Sequence, residues 1–184
     1  ENLKNFRFTD ESRDVFDACL RFAAFLEKGG VKELQIYIDD AFKFYAAFFG
    51  SLLAGAAPCV LAKPILEANL TAVNDENFSN FLANEPAKGL KFDPQAKFYL
   101  QTSGSSGKSK MIEKSLAQMI KESEYLADEL NFSSQNTFFS SVSHRHMFGL
   151  TFKVFLPLVL GARVIADELN YPEAILGLSL ANHV

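Results

Sequence analysis

The sequence is poor in cysteine and has no excess of basic residues. Its two cysteines, Cys19 and Cys59, are too few and too isolated for a disulfide framework or a metal site. We therefore expect both to be small core residues in a reducing compartment. The net charge of −4 argues against the concentrated basic face that a nucleic-acid backbone requires. The local basic cluster, Lys108, Lys110 and Lys114, lies within a single segment of the chain.

A convincing membrane-spanning segment is also missing. Residues 44–62 contain no charged side chain and are long enough to cross a bilayer, but Gly55 and Pro58 interrupt them. A buried helix, a turn and a buried strand account for the same residues, so we expect no transmembrane segment. The amino terminus has no secretory pattern, and we expect a cytoplasmic protein. Glu1 stands where methionine would start a complete chain, which indicates an excerpt.

The hydrophobic pattern is typical of a parallel α/β fold, in which strands and helices alternate. We expect a layered, mostly parallel sheet flanked by helices over residues 1–184, with a sub-boundary near residues 63–95. The helix at 41–54 is apolar on nearly every side, which predicts burial on more than one side. Strands are predicted at 33–38, 58–61, 97–101, 137–142 and 163–166, and helices at 10–28, 41–54, 75–82, 114–130, 150–160 and 172–181.

The most informative segment is the loop that follows the predicted strand at 97–101. It runs from Thr102 to Lys110 and reads Thr-Ser-Gly-Ser-Ser-Gly-Lys-Ser-Lys. Gly104 and Gly107 allow backbone N–H groups to converge with neighbouring hydroxyl groups. Convergent donors beside lysines suit a polyphosphate, so we interpret the segment as a nucleotide triphosphate site. The hydroxyl donors are Thr102, Ser103, Ser105 and Ser106.

Two other interpretations of this segment remain open. A Walker A loop would use Lys108 and Ser109, as in a P-loop ATPase or a kinase-like phosphotransferase. Its opening glycine is replaced by Thr102. A flexible Gly/Ser loop is the third interpretation, and a non-catalytic truncated binding module is a further alternative for the whole chain.

A second segment, residues 143–161, carries histidines at a predicted strand-to-helix turn, where α/β sheets place ligands. His146-Met147-Phe148-Gly149 is similar to the His-x-x-Gly element of the adenylate-forming (AMP-binding) enzymes, which include acyl-CoA synthetases. Segment 102–110 resembles the Thr-Ser-Gly-Ser/Thr-Ser/Thr-Gly-x-Pro-Lys signature of the same family and departs from it at Ser109, where proline is usual. Residues 52–58 resemble the Leu-x-Ala-Gly segment that these enzymes carry upstream.

The resemblance implies that residues 1–184 are the amino-terminal part of an AMP-binding domain whose carboxyl-terminal remainder is absent. In such enzymes ATP activates a carboxylic acid to acyl-AMP, and CoA or a carrier protein then accepts the acyl group as a thioester. We expect a fatty acid substrate because of the many phenylalanines and the Lys-Met-Ile-Glu-Lys-Ser stretch at 110–115. The family elements that bind Mg²⁺ and ribose are not found in residues 1–184, so we expect this chain alone to be inactive, and a homodimer stays open.

The resemblance also implies roles for individual residues. His146 is the candidate catalytic residue, near the acid pocket or the α-phosphate, whereas His144 is expected to be structural or solvent-facing. Lys108 occupies the variable position of the signature and is expected to be a solvated loop lysine. ATP and Mg²⁺ are the implied cofactors, with the metal ligand outside this chain. The implied phosphate-binding residues are Thr102, Ser103, Gly104, Ser105, Ser106, Gly107 and Lys110.

Overall fold

A computed structural model describes residues 3, 7–9, 14–64, 70–102 and 110–181, with side chains to residue 177. The strands in these ranges form one five-stranded and one three-stranded sheet. Of the residues predicted to bind phosphate, Ser103, Gly104, Ser105, Ser106 and Gly107 lie outside the described residues, as do Lys108 and Ser109.

The larger sheet is parallel except at one edge. Strand β2 (Glu33–Tyr37) lies between β3 (Ala57–Val60) and β4 (Thr71–Asn74), and β3 also pairs with β5 (Lys97–Thr102). These pairings are all parallel, so the four strands end at the same edge of the sheet. Strand β6 (Lys110–Ser115) pairs antiparallel with β5 and completes the order β4-β2-β3-β5-β6.

The smaller sheet joins distant parts of the chain. Strand β1 (Arg7–Phe8) pairs in parallel with β8 (Arg163–Glu168), which also pairs in parallel with β7 (Thr137–Ser140). Its order is β1-β8-β7.

The helices begin at polar caps that the sequence supplies. Asp14 and Asp40 accept hydrogen bonds from Asp17 N and Lys43 N, and Ser115 forms a capping box with Gln118. Such caps contribute about 1 kcal/mol each. The helices are α1 (Val15–Gly29), α2 (Ala41–Leu53), a 3-10 turn (Phe78–Ala83), α3 (Leu116–Glu129), α4 (147–160) and α5 (Pro172–Ala181). Helix α4 consists of an α-helical turn (Met147–Gly149), a π-helical stretch (Leu150–Phe155) and a final α-helical part (Leu156–Leu160).

Helix α2 is the centre of the core, and the predicted burial on several sides is confirmed. Every residue of it except Phe42 and Lys43 is buried, and it contacts strands of both sheets. Phe48 packs against Phe98 of β5 and Phe155 of α4, at ring-centroid distances of 5.1 and 5.9 Å. The strand before the signature segment and the helix after His146 therefore share one aromatic cluster.

Several predicted boundaries are corrected by the structure. The helix expected at 114–130 begins at Leu116, because Lys110–Ser115 pair with β5 as an edge strand. The first helix is capped by Asp14, whereas the cap expected at 10–12 lies outside the described residues. The apolar run at 44–62 divides into α2, a turn and β3, as expected. In the described ranges no helix has both the length and the apolar character to cross a membrane.

Candidate functional site

The carboxyl edge of the five-stranded sheet is held together by side-chain hydrogen bonds between strand ends. The Asp75 carboxylate, just after β4, accepts hydrogen bonds from Asp39 N at 2.7 Å and Asp40 N at 3.1 Å, just after β2. Gln101 Oε1 of β5 accepts from Ala62 N at 3.1 Å, beyond the end of β3. This edge is where an open parallel sheet binds ligands.

The two ends of the signature segment meet at this edge. Thr102 ends β5, Lys110 begins β6, and the two are cross-strand partners. The Thr102 hydroxyl donates to the Lys110 carbonyl oxygen at 3.3 Å, and the Lys110 side chain is exposed. Thus the structure brings together Thr102 and Lys110, the two described residues that are predicted to bind phosphate.

The same geometry argues against the Walker A interpretation. A P-loop runs from its strand into a helix that begins at the lysine and the serine or threonine. Here the chain resumes at Lys110 as an antiparallel strand, and α3 begins only at Leu116. The helix that Lys108 and Ser109 would open is therefore missing at residues 110–115.

The turn at 143–149 carries His146 to the same edge. His146 is exposed and has an extended backbone, with φ −100° and ψ 151°, and its carbonyl oxygen accepts from Leu150 N at 2.8 Å as α4 begins. Gly149 packs so closely that a Cβ there would lie 2.7 Å from the carbonyl carbon of Ser143 and nearer still to its oxygen. The glycine of the His-x-x-Gly element is therefore required by packing.

His144 fastens this turn from the inside. Its side chain is fully buried, its ring centroid is 4.2 Å from that of Phe44, and Nε2 lies 2.9 Å from the Ile38 carbonyl oxygen just after β2. Because a carbonyl only accepts, Nε2 of the neutral ring carries the hydrogen. Burial, with Lys153 and Arg145 adding nearby positive charge, lowers the pKa of His144 from 6.5 to about 4. The structural half of the expectation for His144 is confirmed, and the solvent-facing half is wrong.

Arg145 also joins the turn to the end of β2, through the solvent-exposed Asp39. Its Nη2 donates to Asp39 Oδ1 at 2.5 Å, and its guanidinium carbon lies 4.2 Å from the centroid of the Tyr37 ring. The arginine side chain is only 13% exposed, whereas that of Asp39 is 65% exposed. Sequence reasoning missed Arg145, Asp39 and Asp75 as members of the site. The signal that could have found Asp39 and Asp75 is that an acidic residue lies within two positions of the end of each of two parallel strands.

An aromatic cavity of about 270 Å³ opens beside the His146 turn. Phe148 follows His146 by two residues and stacks on Phe152, at a centroid distance of 4.5 Å. Phe132 and Phe138, which also line the cavity, pack edge to face at 5.3 Å. The cavity is therefore mainly aromatic, with Ser140 and Ser141 as its polar lining, and it suits a hydrocarbon or aromatic group.

A larger cavity of about 460 Å³ lies between the amino end of α2 and the end of β8. It is lined by the carboxylates Asp39, Asp40, Asp167 and Glu168, so its charge opposes a phosphate ligand. Within the ranges that the structure covers, no three His, Cys, Asp or Glu residues form a group that could hold a metal ion.

No protein-family model matches the sequence, and no curated protein matches it. Solved structures do match. The o-succinylbenzoate CoA synthetase of Bacillus subtilis, in complex with the acyl-adenylate intermediate OSB-AMP, has a TM-score of 0.78 at 15% identity, over 97% of this chain and 56% of that one. A benzoate CoA ligase from Burkholderia xenovorans has a TM-score of 0.75 at 18% identity, over 92% of this chain and 42% of that one.

A third match is the adenylation domain of a keto acid-selecting NRPS module bound to keto acyl adenylate, with a TM-score of 0.75 at 14% identity. It covers 93% of this chain and 39% of that one. This chain spans about half the length of the first of the solved structures that it matches. The fold is thus that of the AMP-binding, adenylate-forming enzymes, as the resemblance predicts, and at these identities the likeness establishes the architecture alone.

Proposed function

We propose that residues 1–184 form the amino-terminal, phosphate-holding part of an ATP-dependent acid–AMP ligase. The observation that carries the proposal is the position of the two described ends of the signature segment. Its ends, Thr102 and Lys110, meet at the sheet edge to which the His146 turn is tied. The fold supports the proposal, because solved examples contain acyl adenylates, and one contains ATP and a magnesium ion.

In the proposed reaction, a carboxylate oxygen of the acid attacks the α-phosphorus of ATP. The acyl–phosphate bond forms as the bond to the leaving pyrophosphate breaks. The protein brings two anions together and offsets their charge, which is the main source of catalysis in phosphoryl chemistry of this kind. His146, exposed at the start of α4, is proposed to contact the acid or the α-phosphate.

The hydroxyl and N–H groups of the signature segment suit the β- and γ-phosphates, and Lys110 supplies a cation. Magnesium would neutralise further phosphate charge, and we place its protein ligand outside residues 1–184. The proposed phosphate contacts are Thr102, Ser103, Ser105, Ser106 and Lys110, with Gly104 and Gly107 permitting the backbone to turn.

For the acid we propose an apolar chain, with a fatty acid as first choice. The support is the aromatic cavity beside His146, where Phe148 and Phe152 offer no charged group to a second carboxylate or an amine. We propose the thiol of CoA or of a carrier protein as acyl acceptor, in the cytoplasm.

The test is ATP–pyrophosphate exchange by the complete polypeptide that contains residues 1–184, with fatty acids, benzoate and aspartate compared. Lys110→Ala is expected to lower kcat/KM by roughly 100-fold, because it removes a cation at developing negative charge. Lys108→Ala is the matched control, with an expected loss of less than about threefold, typical of a solvated charge.

A dominant Lys108 effect would support the phosphotransferase alternative instead. Absence of exchange with every acid would favour a non-catalytic binding module. We propose that residues 1–184 expressed alone show no exchange, and robust exchange by that piece would overturn this part of the proposal.

A further inference from the structure

We infer that Arg145 is a positioning residue that fixes the orientation of His146, and this inference rests on the proposed function of His146. The two residues are adjacent, yet they differ completely in environment. The Arg145 side chain is largely buried, whereas His146 is exposed. The contacts of the Arg145 side chain with Asp39 and Tyr37 restrict the backbone next to His146, and with it the direction of the His146 Cα–Cβ bond.

The residues that Arg145 contacts lie at the end of β2. Tyr37 belongs to β2, and Asp39 lies two residues later. The backbone N–H of Asp39 is held by the Asp75 carboxylate at 2.7 Å, so the backbone of the residue that receives Arg145 is tied to the end of β4. Arg145 thus links the turn that carries His146 to the ends of β2 and β4.

An arginine at this position costs more folding free energy than a residue with a purely structural role would. Its Nε and Nη1 are buried and have no hydrogen-bond partner among the described residues. A buried charge with incomplete partners is usually less favourable than an apolar side chain of similar volume. A planar guanidinium that stacks on Tyr37 and reaches Asp39 offers orientation that an apolar residue or a lysine does not.

Helix α4 makes the His146 backbone sensitive to this anchor. The His146 carbonyl oxygen accepts the first hydrogen bond of the helix, from Leu150 N, and its N–H donates to Ser143 O at 3.0 Å. The turn between these bonds contains Arg145 and His144. When Arg145 is replaced, the buried hydrogen bond from His144 to Ile38 is the side-chain hydrogen bond that still joins this turn to the residues after β2, in the described part of the chain.

The experiment is a double-mutant cycle in the complete polypeptide, measured by ATP–pyrophosphate exchange with the best acid. Arg145→Met is expected to lower kcat by roughly 10- to 100-fold, with less than about a threefold change in the KM for ATP. Arg145→Lys is not expected to rescue kcat, because it keeps the charge and loses the planar stack. In a His146→Ala background, Arg145→Met is expected to add less than about twofold.

A second measurement does not depend on activity. The backbone amide resonances of His146, whose N–H donates to Ser143 O, should move towards random-coil positions in Arg145→Met, whereas the hydrogen-bonded Nε2–H signal of His144 should persist. Unchanged His146 resonances, equal losses with and without His146, or rescue by lysine would each overturn the inference. If Lys110→Ala abolishes exchange and His146→Ala does not, the ligase proposal survives and this inference fails. If no acid supports exchange, the NMR resonances alone test whether Arg145 positions His146.

Discussion

At the residue scale, His144 and His146 show how far residue type and motif spacing can predict the role of a side chain. The pattern His-x-x-Gly picked out His146 and Gly149, because a motif is a local property of the sequence. It gave no sign that His144 is buried against Ile38, 106 positions away in the chain. The same holds for Arg145 and Asp39, which are also 106 residues apart. Such pairs exist only after the sheet has assembled.

The buried His144 predicts a specific acid sensitivity. Its pKa of about 4 in the folded protein lies below the value of 6.5 for a free side chain, so the unfolded state takes up a proton first as pH falls. Stability is therefore unaffected by this group above about pH 6.5 and is lost as pH falls towards 4, by on the order of 2 to 3 kcal/mol.

Urea unfolding at about pH 7 and about pH 4.5 measures this loss. His144→Gln keeps a donor for Ile38 O and cannot titrate in this range, so its free energy of unfolding should fall less with acid than that of the wild type. His146→Gln is the control, and because it leaves the buried His144 and its bond to Ile38 O in place, its free energy of unfolding should decline with acid like that of the wild type. An identical decline in all three proteins would contradict the assignment.

At the scale of elements, the short edge strands were the hardest to predict. Residues 110–115 combine two lysines, a glutamate and a serine with two apolar residues, and this mixture fits a solvated helix start as well as an exposed strand. The pairing with β5 decides in favour of the strand, and Lys97 adds an ion pair to Glu113 at 2.9 Å. By contrast, α2 was readable because a helix that is apolar on all sides is stable in water only when it is buried on all sides.

The close packing where the turn meets α4 predicts that one glycine substitution there lowers the stability of the protein strongly, whereas a control substitution in another helix does not. Gly149→Ala places a methyl group against the Ser143 carbonyl and should destabilise the protein by at least about 2 kcal/mol. Gly177→Ala, in α5, meets nothing within 4 Å and should be neutral or stabilising by up to about 1 kcal/mol. Thermal or urea unfolding of the two variants checks the pair, and equal effects would show that the close contact is absent.

At the scale of the whole molecule, the fold class was predictable from alternating elements, but the division into two sheets was not. Strand β1 has two residues and pairs with β8 near the other end of the described chain. No periodicity can reveal so short a strand. The position of α2 in contact with both sheets follows from this division, and it accounts for the cluster of phenylalanines around one helix.

This arrangement predicts an uneven pattern of amide hydrogen exchange. The amides of α2 should be among the slowest to exchange, since they open only when both sheets separate from the helix. Those of α5, whose described side chains are mostly exposed, should exchange much faster. Exchange followed by mass spectrometry distinguishes the two helices, and comparable rates would mean that α2 is not the centre of a cooperative core.

The closing pair of the β5–β6 hairpin has a practical consequence for protein engineering. Thr102 and Lys110 belong to a continuous register that extends to Lys97 and Ser115. Equal-length substitutions between the two strands would therefore test triphosphate binding against a register that six cross-strand pairs already define.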